Sequence, residues 1–362
     1  MSTPKFHELK VKEVKKETED CVSIEFEVPD NLKTDFSYIQ GQYVTIKKNI
    51  DGEELRRSYS ICSSPFSGQL KVAVKQVEKG MFSTFANSNL KNGDVLEVMT
   101  PMGNFYTELN ENNNKNYVAF ASGSGITPVL SIVKATLEKE KSSNFTLFYG
   151  NKNTASIIFL EEIEALKNQY LERFSVFHLL SRENVDVPVL NGRLDKTKCE
   201  ELIDKGILNL SQTHEVFLCG PEEMINQVND LLSSKGYDKK QIHFELFTTP
   251  TSQAANVKTT NEATVSNTKS AKVSVKIDGI TYQMDVPYNG DTILDAALKT
   301  GADLPFACKG GVCCTCRAKV TQGTVDMDMN FALEDDEVEK GFVLTCQSHP
   351  TSDSVFVDFD IK

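Results

Sequence analysis

Four of the nine cysteines in this 362-residue chain fall within nine positions, "CKGGVCCTC" (Cys308–Cys316). Cys308, Cys313 and Cys316 have the spacing C-x4-C-x2-C, and Cys346 follows in "LTCQSHP". Four thiolates at this spacing are the ligand set of a [2Fe–2S] cluster. Gly310 and Gly311 suit such a loop, because glycine lets backbone bend closely around sulfur and aim amides at it. Two other uses of the thiols stand beside this one. Zinc would favour two separated cysteine pairs or histidines, whereas one C-x2-C is present, with His349 three residues past Cys346. The second is a purely structural set of thiols. Cys314 adjoins a ligand position, should point elsewhere, and is read as a free thiol. Cys21, Cys62 and Cys199 are read as ordinary buried or surface cysteines.

Further upstream, "RRSYSICSSP" places Arg57, Ser58, Tyr59 and Ser60 at the end of a strand. Alone, this is an exposed polar edge, with Arg57 in a surface ion pair. "KGMFST" (Lys79–Thr84) opens a short helix, whose free N–H groups can hold a phosphate. "ASGSGITP" (Ala121–Pro128) lies between a strand and a helix, where a dinucleotide site requires a glycine turn, although any tight turn can carry G-x-G. "VFLCGPEEM" and "LLSREN" follow later strands of the same region.

The elements that must position these residues fall into three blocks. Residues 1–112 read as short strands with turns: "VSIEFEV", with Val22, Ile24, Phe26 and Val28 alternating with polar residues, "LKVAVKQV", and a turn at Asn92-Gly93. This pattern predicts a small antiparallel β-barrel with one helix over Ser83–Leu90. Residues 113–247 alternate five strands, from "YVAFA" to "IHFELF", with four helices, which predicts a parallel five-stranded sheet covered on both faces. Residues 248–270 break every pattern and read as a flexible linker spanning roughly 25 Å. Residues 271–362 open with two strands around Asp278-Gly279 and a helix in "GDTILDAALKTG", with Asp291 near its start and Gly301 just past its end.

Composition narrows the function. The formal charge is −12, and the last block alone holds 8 Lys and Arg against 15 Asp and Glu. So acidic a chain lacks the basic surface that nucleic acid or anionic lipid requires. No run of about 18 apolar residues is present to span a membrane, and the polar N-terminus has no signal-peptide core. The odd cysteine count favours reduced thiols, hence a cytoplasmic protein. The five histidines are scattered, and "EDDEVEK" (Glu334–Lys340) reads as a solvated helix.

Residues 271–362 resemble a plant-type ferredoxin, a β-grasp domain of α+β class, in ligand spacing, strand–helix pattern and acidity. The barrel with R-x-Y-S and G-x-x-S, followed by "GSGITP" and "CGP", resembles the ferredoxin–NADP reductase family. That resemblance implies that Tyr59 stacks on an isoalloxazine, that Ser60 lies near N5 and that Arg57 meets the pyrophosphate of FAD. Ser58, Val74 and Lys75 fall among its cofactor-binding positions, and Gly80, Met81, Phe82 and Ser83 supply the helix-start site. Gly123, Ser124, Gly125, Thr127 and Pro128 form the nicotinamide turn, with Thr127 facing the flavin. Cys219 lies against the nicotinamide, with Gly220 and Pro221 allowing its approach. Relatives using NADPH place a pair such as Ser181-Arg182 on the ribose 2′-phosphate, where arginine is the natural partner; the alternatives are a solvated turn or NADH. Glu245 and Phe247, in the last strand, take the positions of an active-site acid and a flavin-side aromatic. Ser60, Cys219 and Glu245 are thus the candidate catalytic residues.

Fused reductases of this order serve multicomponent oxygenases. The resemblance therefore implies electrons passing from NADPH to FAD to the cluster, and out to a di-iron oxygenase component. Two alternatives remain at this point. One is a reductase of another ring hydroxylase or of a soluble carrier. The other is an iron–sulfur redox sensor that works without turnover.

Overall fold

The computed structural model describes residues 5–247 and 269–361. They divide into two compact units, one of His7–Leu55 and Tyr59–Phe247, which holds two domains, and one of the C-terminal residues together with Phe6 and Arg56–Ser58. The expected linker, apart from Lys269 and Ser270, lies outside the described residues.

In the first domain β1 (Phe6–Thr18), β2 (Cys21–Glu27), β3 (Tyr43–Ile50), β4 (Glu53–Ser60), β5 (Leu70–Lys75) and β6 (Val95–Met99) form one sheet, in the order β4-β3-β6-β1-β2-β5. Just past β4, Ile61 bridges Val72 of β5 in antiparallel fashion, so the two edge strands meet. Closure removes exposed edges and encloses Ile24, Val44, Ile46, Val72 and Val98. Helix α1 (Met81–Ser88) buries Phe82 and Ala86 against this core. It starts two residues before the predicted Ser83, because Gly80 is extended (φ −77°, ψ 110°) and the helical turn begins right after it. The predicted alternation along β2 is not reflected in burial: Ser23 and Glu25 are buried as well. Neighbours cover its polar face. Glu25 accepts from Lys12 Nζ at 2.6 Å and Gln69 Nε2 at 3.1 Å, and Ser23 donates to Glu17 at 2.7 Å.

The second domain holds β7 (Asn116–Ser122), α2 (Ile126–Lys139), β8 (Asn144–Asn151), α3 (Leu160–Gln169), β9 (Phe174–Leu180), α4 (Lys196–Asp204), β10 (Glu215–Cys219), α5 (Glu222–Ser234) and β11 (Ile242–Glu245). The strands are parallel, in the order β11-β10-β7-β8-β9. Covered on both faces, they read as continuous apolar runs. Phe120, Phe148 and Phe177 stack across three strands with centroids 5.2 Å apart at each step. Strand order reverses between β7 and β10, which is where ligands bind in such sheets. The buried Glu140 carboxylate accepts from Tyr117 Oη (2.9 Å), Ser143 Oγ (2.7 Å), Asn113 Nδ2 (2.7 Å) and Asn110 N (3.1 Å). It thereby ties the segment leaving the barrel to the end of α2.

The C-terminal unit holds β12 (Ser270–Ile277), β13 (Ile280–Pro287), α6 (Ile293–Lys299), β14 (Arg317–Gln322), β15 (Val325–Met327), α7 (Asp335–Glu339), β16 (Phe342–Leu344), β17 (Ser348–Pro350) and β18 (Ser354–Asp358). The main sheet runs β13-β12-β18-β14-β16, and β15 pairs with β17 separately. Only the β12–β18 pair in that sheet is parallel. Asp278 and Gly279 both take positive φ (49° and 76°), the conformation of a tight hairpin turn. The cap of α6 is Thr292, whose hydroxyl accepts from Asp295 N at 3.2 Å. Asp291 instead accepts from Lys299 Nζ at 2.6 Å. Helix α7 is solvated as expected, with Asp335, Asp336, Val338 and Glu339 exposed; Glu337 alone is half-buried, in an ion pair with Arg317 (2.9 Å). Among the described residues no helix is long and apolar enough to cross a membrane.

Candidate functional site

The cysteine loop follows α6 and ends where β14 begins. Lys309 and Gly311 take positive φ (53° and 73°), and a Cβ at Gly311 would lie 2.8 Å from the Met329 carbonyl oxygen. Only glycine fits that bend. The turn brings Cys313 Sγ to 3.1 Å from Cys308 Sγ, on which Gly310 N also converges at 3.3 Å. Hydrogen bonds from Cys313 and then Cys346 hold the Cys308 thiol far below its ordinary range. Cys316 is lowered by its hydrogen bond with Cys346. All four sulfurs are therefore linked, although Cys346 lies 30 residues beyond Cys316 in sequence. Gln347 Nε2 pins the Cys346 side to the loop, donating to the carbonyls of Cys346 (2.8 Å) and Lys309 (3.1 Å). Cys314 faces away and donates to the Ala332 carbonyl at 3.1 Å. Among the described residues no three His, Cys, Asp or Glu side chains are placed around a single metal ion. Linked thiols suit a two-iron cluster, in which each iron takes two.

In the barrel, β4 carries Arg57, Ser58, Tyr59 and Ser60 in one run. Tyr59 is half-buried, its ring 5.6 Å from that of Phe82 and tilted by 33°. Arg57 is exposed and donates to the Arg56 carbonyl at 2.8 Å. The amides of Met81, Phe82 and Ser83 open α1 and have no acceptor within the helix. A Cβ at Gly80 would lie 2.4 Å from both Ser83 Oγ and Val77 Cγ2, so the turn entering the helix needs glycine. A flat ring face beside helix-start amides suits a flavin with a pyrophosphate. Val74 is fully buried in the barrel, whereas Lys75 is half-buried, 3.6 Å from Asp20.

The two domains of this unit meet at the switch point. Ser60 Oγ donates to Glu245 Oε2 at 2.9 Å, and Glu245 pairs in register with Cys219 on the adjacent strand. Burial pushes the Glu245 carboxyl up to about 7, opposed by the Ser60 hydrogen bond. Burial also raises the Cys219 thiol well above its usual range, with the Glu245 charge adding to it. Beside them, a Cβ at Gly125 would lie 2.0 Å from the Cys219 carbonyl oxygen, so β7 and β10 can approach only through glycine here. Gly123 has φ +54°, and its carbonyl accepts from Tyr149 Oη at 2.9 Å. Thr127 is buried and turns its hydroxyl to the Ser124 carbonyl (3.0 Å). Pro128 is buried in α2, and Gly220 and Pro221 lead from β10 into α5. Phe247 departs from expectation. β11 ends at Glu245, which leaves Phe247 two residues beyond the sheet and 39% exposed.

A cavity of about 440 Å³ opens at the C-terminal ends of the parallel strands. Of the residues singled out in the sequence, Gly123, Ser181, Arg182 and Pro221 line it, with Ser122 beside them, and Lys75 reaches it from the barrel. Lys152 and Arg193 also line it, and sequence reading missed both. Their signals, "GNKN" and "NGR", follow other strands and gain meaning only once the loops converge. The Ser181–Glu183 turn is firmly held. Ser181 N and Arg182 N donate to the Asn151 and Lys152 carbonyls (3.0 and 2.8 Å), and Glu183 accepts from Thr154 N and Oγ1 (2.8 and 2.7 Å). Cations gathered in a cleft at a switch point suit a dinucleotide with an added phosphate.

Three family descriptions match in chain order: an oxidoreductase FAD-binding domain over residues 8–106, an oxidoreductase NAD-binding domain over 120–230 and a 2Fe-2S iron-sulfur cluster binding domain over 275–351. Fold and sites thus define an NAD(P)H-dependent flavin oxidoreductase with an iron–sulfur domain. The chain is 41% identical to a component of the 1,2-phenylacetyl-CoA epoxidase of Escherichia coli (strain K12) over 360 residues, covering 99% of this chain and 98% of that one. It is 32% identical to the ferredoxin reductase component of 3-ketosteroid-9-alpha-monooxygenase of Rhodococcus rhodochrous, covering 97% and 96%. Among solved structures, phthalate dioxygenase reductase shares the fold with a TM-score of 0.59 at 22% identity, covering 98% of both chains. This chain belongs to the family of flavin- and nicotinamide-dependent reductases with a C-terminal 2Fe-2S ferredoxin domain that are reductase components of multicomponent oxygenases.

Proposed function

We propose that this chain is an NADPH-dependent, FAD-containing reductase that delivers single electrons to a di-iron oxygenase, with phenylacetyl-CoA epoxidase as the system it serves. The observation that carries the reading is the meeting of Ser60, on the flavin strand, with Glu245 and Cys219 at the nucleotide switch point. Bound at these sites, nicotinamide, FAD and cluster would supply hydride transfer, storage of one or two electrons and one-electron transfer. The chain's own residues do the rest. Tyr59 and the α1 amides orient the flavin, and Ser60 and Glu245 hold a proton beside the reacting edge. Gly125 lets nucleotide and flavin approach, and Cys308, Cys313, Cys316 and Cys346 hold the cluster.

Arg182 and Ser181, joined by Lys152 and Arg193, favour the 2′-phosphate of NADPH over NADH. None of the nine cysteines is joined in a disulfide, which fits a cytoplasmic site of action. The identity to the epoxidase component across the whole chain favours that partner, and the ketosteroid monooxygenase likeness favours a second reading, the reductase of another hydroxylase. Reconstitution decides between them. The purified chain, NADPH, a di-iron epoxidase component and phenylacetyl-CoA should yield oxidised product. No product, with ready turnover on another acceptor, would move the assignment to that acceptor.

A further inference from the structure

Helix α2 presents three polar side chains, Ser131, Lys134 and Glu138, spaced i, i+3 and i+7 on one face. Each engages one of three consecutive barrel residues. Lys134 Nζ donates to the Cys62 carbonyl at 2.9 Å, Ser131 Oγ donates to the Ser63 carbonyl at 2.7 Å, and Ser64 Oγ donates to the Glu138 carboxylate. The seam is out of water: Ser131 is fully buried and Lys134 nearly so, and Lys134 Nζ also meets Glu162 Oε1 at 2.6 Å. Residue 62 lies two positions past Ser60, and α2 begins right after the Gly123–Gly125 turn. The seam therefore joins the strand that carries the flavin residues to the helix that carries the nucleotide turn.

A buried charge adds little to stability, since apolar residues of similar volume often serve as well; its best-attested use is to fix register. Geometry matters here, because a misplacement of about 1 Å between reacting groups can cost roughly 100-fold in rate. We infer that Lys134, seated between Ser131 and Glu138, is a positioning residue that sets the flavin strand against the nicotinamide turn. This rests on the reductase reading above, but its test does not depend on turnover.

The test uses the FAD-loaded chain and the variants Lys134→Met, Lys134→Arg and Ser131→Ala. Without nucleotide, hydrogen–deuterium exchange is followed at the amides of Ile61 and Cys62, which donate to Gln42 and Lys71. Lys134→Met should speed exchange there about tenfold or more while β8 and β9 stay unchanged, as local opening does. Lys134→Arg should stay near wild type. With NADPH, flavin reduction per bound flavin should slow about tenfold in Lys134→Met, by more than the change in NADP+ affinity. If Lys134→Met fails to fold, Ser131→Ala should show the same pattern at about two- to fivefold. Unchanged exchange at Ile61 and Cys62, or a uniform rise across the whole unit, overturns the inference. Failure of the wild-type chain to accept electrons from NADPH would instead sink the reductase reading and leave the exchange result to stand alone.

Discussion

Ser60 Oγ and Glu245 Oε2 lie 2.9 Å apart although 185 residues separate them in sequence. One belongs to the barrel and the other to the last strand of the nucleotide sheet, so the bond exists only when both domains are folded together. Burial raises the Glu245 carboxyl from its ordinary 4.5 to about 7. Between those values the native chain keeps a proton that the unfolded chain has released. Stability contributed by this group is therefore full below about pH 4.5, falls as pH rises to about 7 and stays low above. The effect is at most about 3 kcal/mol, and less to the extent that solvent reaches the half-buried group. Glu245→Gln should flatten this part of the profile, so that its melting temperature gains on wild type from about pH 5 to about pH 8. Parallel profiles for the two proteins would contradict the assignment.

Gly125 closes the turn after β7, with no space for a methyl beside the Cys219 carbonyl. Gly125→Ala must push the nucleotide turn outward. Affinity for NADP+ should fall about tenfold or more, corresponding to about 1.4 kcal/mol, while the visible spectrum of the cluster stays as in wild type. Titration with NADP+ measures the first and absorbance the second.

The cavity corner with Arg182 and Arg193 gives a specificity prediction. Hydrogen bonds to a charged group contribute about 1.5–3 kcal/mol. Arg182→Ala should thus lower kcat/KM for NADPH about 10- to 100-fold and leave that for NADH within about twofold. Arg193→Ala should act in the same direction, because Arg193 lines the same cavity. Equal losses with both nucleotides would mean that these arginines do not read the 2′-phosphate.

Adjacent cysteines should behave differently. Cys314 turns its sulfur to the Ala332 carbonyl (3.1 Å), whereas Cys313 lies 3.1 Å from Cys308. Cys314→Ser should keep the iron content and absorbance of wild type, and Cys313→Ser should lose most of both. Iron analysis beside the absorption spectrum checks this pair.

Much of this was legible from residues alone. The parallel strands were readable because strands covered on both faces are unbroken apolar runs, and "FSVFHLL" became β9 residue for residue. Chain-local chemistry was readable too, as in the Asp278-Gly279 turn and the cysteine spacing. What escaped depended on partners distant in sequence. The polar side of β2 looked solvent-facing until Lys12 and Gln69 were seen to cover Glu25. Asp291 and Thr292 are both good caps, and only the extended backbone at Thr292 decided between them. Lys152 and Arg193 read as ordinary loop cations, because their role arises from loops after different strands closing on one cavity. The resemblance singled out Ser60 and Glu245 separately, but nothing in the sequence says that they touch.

The central claim is that a hydride taken from NADPH leaves this chain as single electrons through the four-cysteine cluster. Low-temperature electron paramagnetic resonance on the anaerobic, fully loaded chain tests it most directly. Addition of NADPH should produce the signal of a reduced [2Fe–2S] cluster, and Cys346→Ser should abolish that signal while its flavin still bleaches. A wild-type chain whose flavin bleaches with NADPH while the cluster remains oxidised, or whose four cysteines hold only zinc, would contradict the account.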